Sequence, residues 1–154
     1  MSQQTHAELV ALGAKWLRKQ GFPVVATELV AAGCKEYPDV IGFRSTCSAV
    51  VEVKVSRADF LADRLKPHRM DGSGMGLYRF FLAPAGVVEP EDLPARWGLL
   101  QAHGQRVVEI VRPKGNLWSG PGGGFGDWPE FQHQFNAAAE RRVLFSIARR
   151  AAAR

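Results

Sequence analysis

The sequence predicts an α/β domain in which a mixed sheet is flanked by helices, with one more helix at the C-terminus. Three observations lead there. Short runs rich in β-branched residues alternate with stretches of helical spacing. Two of the helical stretches open on capping boxes. The elements follow in the order helix, three strands, helix, strand, which places helices over the sheet.

The first helix starts at "THAE", where Thr5 and Glu8 can satisfy free amides. Leu9, Leu12, Gly13, Trp16 and Leu17 then recur at the spacing of one buried stripe, and Gly21 and Pro23 end it. "PVVATEL" reads as the first strand. "DVIGFR" and "AVVEVKV" read as a hairpin turning on Thr46-Cys47, so that Ser45 pairs with Ser48. Ser56 and Asp59 cap a short second helix with Phe60, Leu61 and Leu65 on its apolar side, stopped by Pro67. "LYRFFLAP" is a strand, "EPEDLPARW" a short helix, and "GLLQA" and "QRVVEIV" are two more strands. "SGPGGGFGDWP" reads as a flexible linker, without the Gly-Lys-Ser/Thr ending of a phosphate-binding loop. The stretch from Phe131 onward is a strong helix former. The expected organisation is therefore a core over 1–112, a glycine-rich linker over 113–130 and a basic helix over 131–154.

Composition excludes some classes. With 46% hydrophobic and 23% charged residues the chain is ordinary for a globular domain. No apolar run reaches membrane-spanning length, and "MSQQTHAELV" lacks a signal-peptide layout. Cys34 and Cys47 are too far apart for a CxxC pair and read as reduced thiols of a cytoplasmic protein. The net charge of +5 is unevenly spread. Residues 131–154 hold five arginines against Glu140, while the preceding 130 residues hold 15 basic and 14 acidic residues. A near-neutral body with a basic tail is compatible with nucleic acid without requiring it.

The informative stretch is "AVVEVKV". A strand this rich in valine belongs inside, yet it carries Glu52 and Lys54 on one face. Buried charges cost several kcal/mol unless paired or bound to metal. In the expected hairpin, Asp39 lies opposite Lys54, diagonal to Glu52 and on the same face. Two carboxylates and a lysine converging there suit Mg²⁺, which takes oxygen ligands and keeps several waters. Such an ion acidifies its water and neutralises charge on a phosphate, and Lys54 would orient that water or stabilise the transition state.

"PD" at Pro38-Asp39, thirteen residues before "EVK" at Glu52-Val53-Lys54, resembles the PD-(D/E)XK, or restriction-endonuclease-like, nuclease superfamily. The resemblance runs from about Thr5 to Ile110 and agrees with that family's αβββαβ core. "EVKVSRADF" followed by "YRFFLAP" looks most like MmcB-type DNA-repair proteins and nuclease-like proteins of phage. It implies Mg²⁺-dependent (endo)deoxyribonuclease activity, with Mn²⁺ as a substitute, in DNA repair or phage and mobile-element DNA metabolism. It maps the metal ligands onto Asp39, Glu52 and the carbonyl of Val53, and the catalytic lysine onto Lys54. An acid on the first helix, matched by Glu8, completes the implied catalytic set, although the capping box explains Glu8 equally well.

Other residues have structural explanations beside the functional ones. Glu28 is an acid within an apolar strand. Arg57, Lys66, His68 and Arg69 around the second helix could contact DNA phosphates or simply end a solvated helix. His6, His103 and His133 lack partners at metal-ligand spacing. The arginines of the last helix fit a DNA backbone, an oligomer contact or a protein partner. The rival reading is a non-catalytic nucleic-acid-binding module that keeps the nuclease fold.

Overall fold

A computed structural model describes residues 3–27, 37–63 and 74–153. Helix α1 (His6–Lys19) precedes strands β1 (Val24–Thr27), β2 (Val40–Phe43) and β3 (Ser48–Val53). Helix α2 (Arg57–Asp63), strand β4 (Tyr78–Pro84), strands β5 (Trp97–His103) and β6 (Arg106–Val111) and helix α3 (Ala137–Ala152) follow. Short 3-10 turns occupy Pro90–Asp92 and Trp128–Phe131. The six strands form one sheet in sequence order. β3, β4 and β5 run parallel, and the other neighbours pair antiparallel. The chain is thus an α/β domain with a mixed sheet flanked by helices and a C-terminal helix, in the expected element order.

α1 covers one face. Leu9, Leu12, Trp16 and Leu17 pack with alternate residues Val40, Val51, Phe80 and Leu82 of three strands. Gly13 lets the helix approach closely, because a Cβ there would lie 3.2 Å from Val51 Cγ1. The opposite face carries two separate apolar clusters. One joins Ile41, Phe43 and Val50 to Ala139 and Val143 of α3. The other joins Phe81, Ala83 and Leu99 to Phe60 of α2. α3 is also tied down by Glu140, whose buried carboxylate accepts from Ser48 Oγ at 2.8 Å and Gly76 N–H at 2.7 Å. Burial pushes this carboxyl above its ordinary range, against the opposing pull of the two hydrogen bonds.

Three local expectations need correction. The β2–β3 hairpin turns on Ser45-Thr46, closed by Arg44 N–H to Cys47 O at 2.9 Å, so Phe43 pairs with Ser48. Ser45 and Thr46 are exposed, whereas Cys47 enters the core as a small apolar residue, and this decides the turn. In α2, Phe60 and Asp63 face inward and Leu61 is exposed. The last helix begins at Ala137, capped by Asn136, whose side chain accepts from Ala139 N–H. Residues 132–136 instead give backbone hydrogen bonds to the segment that leads into β4, from His133 N–H to Leu77 O and from Asn136 N–H to Gly74 O. Tertiary bonding there overrides helix propensity.

The glycine-rich segment is anchored at both ends rather than hanging free as a linker. Trp118 and Trp128 are 1% and 0% exposed, at ring distances of 4.9–5.4 Å from each other and from Phe22 and Tyr78. Gln132 Nε2 donates to Gly120 O and Gly123 O, and its Oε1 accepts from Gly122 N–H. Burial of Trp118 and Trp128 thus ties residues 113–130 to the core although most of the segment is exposed.

Candidate functional site

Glu52 of β3 sits between the two apolar clusters of the second face, and Lys54 follows one residue past the strand. Glu52 follows Val50 of one cluster by two residues and stands in register with Phe81 of the other. The corrected register is displaced by two residues from the expected one, so every side chain keeps its face. One step beyond the last β2–β3 pair, Val40 with Val51, the ladder brings Asp39 to the level of Glu52 rather than Lys54. Asp39 Oδ2 accepts a hydrogen bond from Val53 N–H at 2.9 Å, which fixes the carboxylate against the end of β3. Its Oδ1 lies 3.4 Å from His6 Nε2 on the first turn of α1.

Lys54 is engaged elsewhere. Its Nζ lies 3.0 Å from Asp63 Oδ1, with the two side chains 7% and 3% exposed. Asp63 and His6 are the site residues that sequence reasoning missed. A signal for Asp63 was present: it lies three residues after Phe60, so an inward Phe60 brings it to the buried side of α2. For His6, spacing gave no signal, because its partner Asp39 is supplied by a different element.

The other expected residues fall as follows. Glu8 is exposed and accepts from the Thr5 hydroxyl at 3.1 Å, while its own N–H bonds Thr5 Oγ1, so it completes a cap. Ser56 accepts from Asp59 N–H, and Asp59 accepts from Val55 N–H, a second cap at the exit from β3. Arg57 is committed to Asp92 through both terminal guanidinium nitrogens and to the carbonyl of Val87, tying α2 to the Pro90–Asp92 turn. Glu28, Lys66, His68 and Arg69 lie outside the described residues. Cys47 is buried, and burial pushes its thiol up to about 11, which leaves it without nucleophilic character at neutral pH. His133 donates from a ring nitrogen to Arg96 O, and burial beside Arg79 lowers its pKa to about 4.

A hard cation could be held by Asp39, Glu52 and the main-chain carbonyl of Val53. Among the described residues no group of three or more His, Cys, Asp or Glu side chains is placed to hold a metal. Two carboxylates and a carbonyl are nevertheless the all-oxygen kind of set that Mg²⁺ accepts when waters and phosphate complete its shell. Asp39 also keeps acceptor capacity after its one amide bond, because an ionised carboxylate offers about four lone-pair sites. No helix among the described residues is long and apolar enough to cross a membrane.

No family model matches this chain, and no curated protein matches it. Among solved structures it is similar to a protein of unknown function from Silicibacter pomeroyi, with a TM-score of 0.63 and 25% identity. The similarity covers 98% of this chain and 89% of the other.

Proposed function

We propose that this protein is a Mg²⁺-dependent nuclease of the PD-(D/E)XK type that hydrolyses DNA phosphodiester bonds. The observation that carries the reading is the Asp39 carboxylate bonded to the main chain of the Glu-Val-Lys strand, level with the buried Glu52. Asp39, Glu52 and the Val53 carbonyl would hold the metal, which when bound supplies an acidified water and offsets charge on the phosphate. The Val53 N–H orients Asp39. Lys54 would steady the charge that grows on the phosphate once it shares its ammonium between Asp63 and substrate. DNA is taken as the substrate, and repair or phage DNA processing as the setting, from the family resemblance.

The test is conversion of supercoiled plasmid to nicked and linear forms with Mg²⁺ or Mn²⁺, by the parent, Asp39→Asn and Glu52→Gln. Changing residues that merely orient metal ligands costs 10–100-fold, so loss of a ligand should cost more than about 100-fold, and EDTA should abolish cutting. Equal cutting by parent and both variants would sink the assignment.

The second reading, a non-catalytic nucleic-acid-binding module, is favoured by the Lys54–Asp63 pair, which already compensates the lysine within the fold. It predicts EDTA-insensitive, salt-sensitive DNA binding and no nicking with either metal.

A further inference from the structure

α3 leaves a cationic face in solvent. Its inner side is set by Ala139 and Val143, buried against the sheet. Phe145 comes two residues after Val143, about 200° around the helix, and is 66% exposed. Arg141 and Arg149 lie one turn before and after it, Arg142 lies three residues before it, and all three are exposed. Among the described residues no ion pair engages these arginines. The helix's acid, Glu140, is turned inward to Ser48 and Gly76. Arg149, in the last turn, is favoured by the negative end of the helix, but Arg141 and Arg142, in the second turn, gain nothing from it. Neither packing nor helix electrostatics therefore accounts for a large exposed aromatic ringed by guanidiniums that have no ion-pair partner among the described residues.

We propose that this face binds a polynucleotide strand, with Arg141, Arg142 and Arg149 on successive phosphates and Phe145 stacked on an unpaired base. The inference rests on the nucleic-acid reading above and adds to it the preferred form of substrate. Charge complementarity selects the occupant. Arg141 and Arg149 span about 12 Å of helix, and guanidiniums grip phosphate oxygens in pairs. An exposed aromatic among such cations is a stacking platform for bases of any sequence. An anionic membrane would call for a broad apolar face, whereas α3 turns Ala139 and Val143 to the sheet and its exposed large apolar residues are Leu144 and Phe145 amid the arginines. The helix also covers the side of the sheet on which Asp39 and Glu52 lie, since Ile41 and Val50, each two residues from one of them, pack in its cluster.

The test measures binding of the full chain to a labelled single strand of about 30 nucleotides and to the matching duplex, in EDTA over a range of salt. Arg141→Ala/Arg142→Ala/Arg149→Ala should lower the slope of log affinity against log salt by about 2 on the single strand. Phe145→Ala should weaken single-strand binding by at least about 5-fold and leave the duplex within about 2-fold. Lys15→Ala/Lys19→Ala, exposed on α1 across the sheet, is the charge control and should leave the single-strand slope unchanged. Circular dichroism confirms that each variant is folded. An unchanged slope in the triple variant, or no binding by the parent, overturns the inference. So does a shift of the effect to phosphatidylserine vesicles or to self-association. Loss of binding in the triple variant of a parent that never cuts DNA sinks the nuclease reading alone. Cleavage by the parent with an unchanged triple variant sinks this inference alone.

Discussion

Lys54 and Asp63 show how a buried charge on β3 is made tolerable. At 3.0 Å and nearly out of solvent, Lys54 would lose the carboxylate that compensates its ammonium if Asp63 were removed. Asp63→Ala should therefore destabilise the fold by about 3–5 kcal/mol, read from urea unfolding. Lys54→Met/Asp63→Leu should cost far less than the sum of its single changes, because it removes both ions together. Equal losses in the single and double variants would show that packing, not charge pairing, holds the site. The same pair governs how Lys54→Ala is read in a cleavage assay, since loss of activity there must be set beside loss of fold. The sequence exposed the problem, a charged pair in a valine strand, without identifying the partner. Asp63 became visible only when α2 turned Phe60 inward and Leu61 outward.

At the scale of elements, periodicity located strands and helices well, and their ends were decided by contacts. The β2–β3 turn moved one residue because a buried cysteine outranked turn propensity, yet the side chains kept their faces, and Asp39 came level with Glu52 instead of Lys54. The last helix lost its first turns to hydrogen bonds with the segment that leads into β4. The glycine-rich segment is the clearest case. Its composition reads as flexible, but Gln132 gathers Gly120, Gly122 and Gly123, and Tyr78 Oη donates to Ser119 O. Phe125, 83% exposed, is the natural chymotrypsin site there. Gln132→Ala should raise the rate of cleavage after Phe125 by about 10-fold, the equivalent of about 1.4 kcal/mol of lost local protection, measured by mass spectrometry of timed digests. Unchanged cleavage would mean that the tryptophans alone pin the segment.

For the whole molecule, the boundary expected at residue 112 cuts through the core. Trp118 and Trp128 close the α1 side of the sheet against Trp16, Phe22, Tyr78 and Phe80. Removing even one such ring costs about 3–5 kcal/mol, a large part of a domain's total stability. A chain ending at residue 112 should lack a cooperative thermal transition by circular dichroism, whereas the full chain should show one. A cooperative, native-like melt of the short chain would restore the smaller domain.

What the sequence determined by itself was the class of fold, the order of its elements and the shared face of Asp39, Glu52 and Lys54. The first two follow from local periodicities of 3.6 and 2, and the shared face adds only the parity of a short hairpin's register. What only the tertiary structure decided was pairing across elements: Lys54 with Asp63, Asp39 with the Val53 amide and His6, and α3 with Ser48 through Glu140. Each joins residues whose separation along the chain carries no period, so each emerges only when burial forces every polar group to find a partner in space.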